Sequence, residues 1–116
     1  MLFRSAEGRS RRWRDRKKDY LVHLRRSTPE AVAISLADKL HNLWTMNQSL
    51  ARGLDIFTEG PNRKALRAGK EEQRWYFESV LTASEVFSDP RLAPMRARLT
   101  EELDRFCSLT GVRRRS

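Results

Sequence analysis

A chain of 116 residues is long enough for one small domain with a single hydrophobic core. Apolar residues make up 39% and charged residues 34%, and the net charge of +9 favours polyanionic partners such as nucleic acid, nucleotides or anionic lipid. No apolar run approaches the roughly 20 residues of a membrane span, and the single Cys107 excludes an internal disulfide and fits a reducing cytoplasm.

Residues 1–12 are polar and basic, end in Arg9-Ser-Arg-Arg12, and hold no apolar core of signal-peptide length. They read as a basic arm, either solvated or bound to phosphates. Trp13, Lys17, Tyr20, Leu21 and Leu24 recur at helical spacing, which predicts a first helix over 13–26. Arg14, Asp15, Arg16, Lys18 and Arg25 fill its other face. Trp13 and Tyr20 are expected in the core or at its edge. Base stacking needs several exposed aromatics flanking a basic groove, whereas these lie on the apolar stripe.

Ser27-Thr28-Pro29-Glu30 marks a helix start, with Pro29 in the first turn and Glu30 placed to close a capping box with Ser27. This second helix is predicted to run to about Arg52, with Gly53 ending it. Val32, Leu36, Leu40, Leu43, Met46 or Asn47, and Leu50 form one stripe. Ile34, Asp38, Asn42 and Thr45 form an adjacent one. A helix apolar on most of its girth in its first half is expected at the centre of a bundle.

Residues 54–69 read as a loop, long for a small domain and basic through Arg63, Lys64 and Arg67, with Lys70 following. It either meets phosphates or is simply solvated. A third helix is predicted over 70–87, burying Trp75, Tyr76, Phe77, Val80, Leu81, Ser84 and Phe87. Asp89 caps the next start before Pro90. A fourth helix over 91–109 carries the seam Leu92, Met95, Leu99, Leu103 and Phe106, and Gly111 ends it. No strand pattern is present. The reading is an all-α fold of about four helices: a basic arm over 1–12, a helical domain over 13–110, and a basic tail over 111–116 expected to be mobile.

The richest stretch is Ala31–Leu43, where seven uncharged residues run into Asp38. Asn42 at i+4 and His41 at i+3 share a helix face with it. An ionised carboxylate in an apolar setting needs a cation, a metal or a donor network. Asp38 is therefore expected to be buried and engaged. Asp38, His41 and His23 are too few for a metal site on their own. No nucleophile constellation occurs either. Cys107, among Phe106 and Leu109, reads as a buried inert thiol. Gly60 and Gly69 are isolated, and Glu71-Glu72 and Glu101-Glu102 read as helix surface.

Three blocks taken together, Trp13–Leu24, then Ala37-Asp38-Lys39-Leu40-His41-Asn42, then Gln73-Arg-Trp75-Tyr76-Phe77, resemble one family segment. It is the C-terminal half of HD-domain phosphohydrolases of the RelA/SpoT-type guanosine polyphosphate pyrophosphohydrolase class. The resemblance spans roughly residues 13–106 and about half of such a domain. It implies part of an HD-domain-like helical bundle and an enzyme that releases pyrophosphate from the 3′ position of a guanosine polyphosphate. It implies a divalent metal, commonly manganese, with Asp38 as the last of its ligands. It places Asn42 against the nucleotide, with Lys39 beside it in the same block. Tyr76 either lines the nucleotide pocket or packs in the core.

The family's His, His-Asp pair and water-positioning acids have no counterpart in these residues. The expectation is a catalytically incomplete half-domain inactive alone, whether a truncated or split coding sequence or a degenerate remnant, that takes manganese only if a complementing chain supplies the missing ligands. Such a half-domain exposes apolar surface on the Asp38 face, and the expectation is a marginally stable monomer or self-association through that face. The alternative is a basic helical module that binds nucleic acid or an acidic protein partner, and a third reading keeps only the fold as a helical interaction domain. No membrane partner is expected.

Overall fold

The computed structural model describes the backbone of residues 6–58 and 68–115, and the side chains of 11–58 and 68–115. Four helices run in chain order: α1 (Ala6–Arg25), α2 (Pro29–Ala51), α3 (Lys70–Ser84) and α4 (Ala93–Thr110). A 3₁₀ turn, Pro90–Leu92, leads into α4. No strand occurs among the described residues, so the fold is all-α as the sequence predicts. No described helix is long and apolar enough to cross a membrane. The basic loop residues Arg63, Lys64 and Arg67 lie outside the described residues.

Local chemistry explains most boundaries. Thr28 caps α2: its side chain accepts a hydrogen bond from Ala31 N at 3.2 Å, and Pro29 occupies the first turn. The predicted Ser27–Glu30 capping box does not form. Ser27 Oγ instead donates to Leu24 O at 2.7 Å, closing the end of α1. Gly53 and Gly111 take positive φ, 83° and 78°, where a side chain is strained, and so stop α2 and α4. Asp89 accepts from Arg91 N at 2.9 Å and starts the 3₁₀ turn as expected.

Three expectations need correction. The arm does not stay loose to residue 12, because α1 begins at Ala6; alanine, glutamate and arginine all propagate a helix well. The third helix stops at Ser84 rather than 87, in turns where Glu85 N and Phe87 N donate to Thr82 O and Ser84 O. The tail is not mobile through Arg115. Val112 is buried, and Glu78 Oε2 accepts from Arg114 Nε at 2.9 Å and from Arg115 N at 2.8 Å.

The core is a ring of helix contacts, α1 on α3, α3 on α4 and α4 on α2, the last being the most extensive. Leu36 and Leu43 from α2 meet Leu99, Leu103 and Phe106 from α4, all fully buried. Each such side chain contributes about 1.5–3 kcal/mol of transfer free energy. Asn47 ties the pair, its Nδ2 donating to Glu102 O at 2.9 Å and to Glu102 Oε1 at 3.0 Å. Trp13 sits edge-on to Trp75 and Tyr76, with centroids 6.2 and 5.7 Å away, joining α1 to α3. The second helix is not enclosed all round. Ile34 is 72% exposed and Trp44 is also exposed, because no described element covers that side.

Candidate functional site

The site grows from a helical-phase detail on α2. Its buried arc holds Val32, Ser35, Leu36, Lys39, Leu43 and Asn47. Asp38 precedes Lys39 by one residue, which turns it about 100° further from that arc. The expectation of an inward Asp38 is therefore wrong: its side chain is 59% exposed, whereas that of Lys39 is 11% exposed. The buried charge is the lysine. The spacing Leu36, Lys39, Leu43 at i, i+3, i+7 carries that signal.

The two neighbours remain joined. Lys39 Nζ donates to Asp38 Oδ2 at 2.9 Å, and Asn42 Nδ2 donates to the same oxygen at a long 3.5 Å. Asp38 and Asn42 thus stand side by side as their spacing predicts, but at the surface. The bond from Lys39 holds the Asp38 carboxyl below its ordinary pKa. Burial pulls Lys39 down, yet its bond to Asp38 and its proximity to Tyr76 and Tyr20 outweigh this and leave it above its ordinary value.

An aromatic wall backs these groups. Tyr76 is only 4% exposed and lies 6.3 Å from Tyr20, centroid to centroid. Burial pushes its phenol up to about 12, so it stays neutral at any physiological pH. Tyr20 OH and Ser35 Oγ share a hydrogen bond between α1 and α2. The Lys39 ammonium sits 4.9 Å from the Tyr20 ring and 5.9 Å from the Tyr76 ring. Both separations suit a cation–π contact.

Lys17 is the residue that sequence reasoning placed on the α1 stripe without assigning it a role. Its ammonium lies 4.7 Å from the Tyr76 ring and 5.7 Å from the Trp13 ring. Among the described residues no carboxylate reaches it within salt-bridge distance. Burial, then the charge on Lys39, pull its pKa below the ordinary lysine value. An open cleft of about 390 Å³ runs alongside, lined by Trp13, Lys17, Asn42, Thr45, Gln73 and Tyr76 among others. The cleft therefore offers flat rings, amide groups, a hydroxyl and at least one half-buried cation.

Asp38 and His41 lie one turn apart on α2, but His41 stacks on Trp44 at 6.4 Å and Asp38 is held by Lys39. His23 is exposed in the last turn of α1. No group of three His, Cys, Asp or Glu residues able to hold a metal occurs among the described residues. These residues alone do not fit a manganese centre. Cys107 is buried and its thiol is pushed up by that burial, in keeping with the inert role expected of it.

Comparison of the chain with protein-family models, with curated proteins and with solved structures finds no match.

Proposed function

We propose that the chain carries the nucleotide-facing part of an HD-type phosphohydrolase site and binds a guanosine polyphosphate or a related nucleotide pyrophosphate. One observation carries the reading: Lys17 and Lys39 both approach the Tyr76 ring, beside a cleft that Asn42 and Trp13 help to line. The resemblance of the Ala37–Asn42 and Gln73–Phe77 blocks to RelA/SpoT-type enzymes supports the same assignment. Asn42 and Tyr76 would contact the nucleotide, and the lysines its phosphates.

Hydrolysis is a separate matter. In the HD reading Asp38 is one metal ligand, and the remaining ligands come from a second polypeptide segment. Manganese would then supply a Lewis acid and a source of hydroxide. No step through it follows from the residues described here. The exposed Ile34 and Trp44 flank the Asp38 face, and apolar surface of this kind suits a complementing chain or a second copy. The cytoplasm is the proposed location, since the single thiol fits a reducing compartment.

The test is a pair of titrations with guanosine tetraphosphate and guanosine, read by tryptophan fluorescence, since Trp13 lines the cleft. The reading expects saturable binding of the polyphosphate and at least tenfold weaker binding of the nucleoside. It also expects no pyrophosphate release with manganese until an HD half bearing the His and His-Asp ligands is added. Equal affinities for the two ligands would overturn it.

A second reading has its own observation. Arg11, Arg14, Lys18 and Arg25 lie at i, i+3, i+7 and i+14 on one face of α1. Lys18 and Arg25, with Arg115 of the tail and Trp75, line an open groove of about 500 Å³. That groove would suit the backbone of a nucleic acid, and such binding falls steeply with salt. Absence of RNA or DNA binding at low salt would remove this reading.

A further inference from the structure

We infer that the Asp38 carboxylate is an internal stand-in for a ligand phosphate, so that anion binding at this cleft displaces Asp38 from Lys39. This rests on the phosphate-binding reading of the cleft and adds how that binding is regulated.

The geometry points there through a single atom. Asp38 Oδ2 accepts from Lys39 Nζ at 2.9 Å and from Asn42 Nδ2 at 3.5 Å. Two donors one turn apart on α2 thus converge on one oxygen, and one of them, Asn42, also lines the cleft. A phosphate oxygen placed there would accept from the same two groups. Lys17 adds a second ammonium near the same Tyr76 ring and lines the cleft itself.

The charge count favours exchange. Two partly buried ammonium groups face one carboxylate, so the local balance lacks an anion. Lys39 cannot easily leave, because its stem is buried against Tyr20 and Tyr76. Asp38 can leave: its side chain is mostly exposed, so its rotation into water costs little once another anion meets Lys39. A multiply charged phosphate meets both lysines at once, which one carboxylate does not.

Asp38 acts here as a gate on anion affinity, and removing its charge should open that gate.

The probe is inorganic pyrophosphate, titrated calorimetrically into the wild-type chain, D38N and K17M with chelator present and no divalent metal. Asp38 is exposed, so D38N should fold, and its melting curve verifies this. The account expects D38N to bind pyrophosphate about fivefold or more tightly than wild type, the effect of removing one nearby like charge in a mostly aqueous setting. It expects K17M to bind at least fivefold more weakly. Equal or weaker binding by a folded D38N overturns the stand-in role. If wild type still prefers guanosine tetraphosphate to guanosine in that case, the nucleotide reading survives and only this inference fails. If neither wild type nor D38N binds pyrophosphate or the nucleotide, both fall together.

Discussion

Asp38 and Lys39 are adjacent in sequence, yet Lys39 is buried and Asp38 is exposed, and a 2.9 Å ion pair spans the boundary between them. The lysine contributes packing as well as charge, since its side chain is buried and its ammonium lies over two tyrosine rings. The carboxylate contributes little to folding. Asp38→Ala should therefore lower stability by no more than about 1 kcal/mol. Lys39→Ala should cost about 1–3 kcal/mol, from lost packing and cation–π contact. Urea denaturation of the two variants checks the order. A larger loss for Asp38→Ala would mean that the acid, not the lysine, is the structural charge.

The tail is fastened by a buried carboxylate. Glu78 accepts from Arg74 Nη1 at 2.6 Å and from Arg114 Nε at 2.9 Å, and its side chain is only 8% exposed. Glu78→Gln should destabilise the chain by about 1–3 kcal/mol, because the buried Arg74 guanidinium then keeps only its 3.2 Å pair with the exposed Glu71. Thermal melting at neutral pH measures this.

Acid should act through the same group. Burial raises the Glu78 pKa, but bonds from Arg115 N, Arg74 and Arg114 outweigh it, and the folded value lies below the ordinary 4.5. A depressed carboxylate contributes stability that is fully present above its unfolded pKa and is lost as pH falls through the folded value. Stability should thus hold above about pH 4.5 and decline below it. Melting temperatures across pH 3–7 provide the check, and Glu78→Gln should flatten the acid limb.

Gly111 ends α4 with φ 78°, and a Cβ added there would meet nothing within 4 Å. Gly111→Ala should therefore cost only the conformational strain, about 1–2 kcal/mol. A larger loss in chemical denaturation would point to a contact that the fold does not contain.

Cys107 is buried on α4 and its thiol is raised by that burial. A thiol-reactive dye should label it slowly in the native protein and rapidly in denaturant. Fast native labelling would place it at an accessible surface.

What could be read from the sequence follows from which interactions are local. The stops at Gly53 and Gly111 and the cap at Asp89 depend on residues within a turn, and all three occur as read. The α4 seam through Leu99, Leu103 and Phe106 shows in its spacing and is buried. The apolar residues before Asp38 suggest a buried acid, whereas burial on a helix depends on phase, and Asp38 lies exposed. One residue of phase separates the exposed acid from the buried lysine. The Glu78 clasp joins positions 36 residues apart, and the approach of Lys17 to Tyr76 joins α1 to α3. No periodicity within a single element encodes such pairs.

The central claim is that Lys17 and Lys39 hold the phosphates of a nucleotide seated against Tyr76. It is tested most directly by calorimetric titration of guanosine tetraphosphate into wild type and into the Lys17→Met/Lys39→Met double variant, without metal and at low salt. Methionine keeps the length and apolar stem of lysine, so the variant should remain folded. The account predicts one-to-one binding by wild type and a loss of at least about tenfold in the variant, the scale of one charged hydrogen bond. Undiminished affinity in a folded double variant would contradict it.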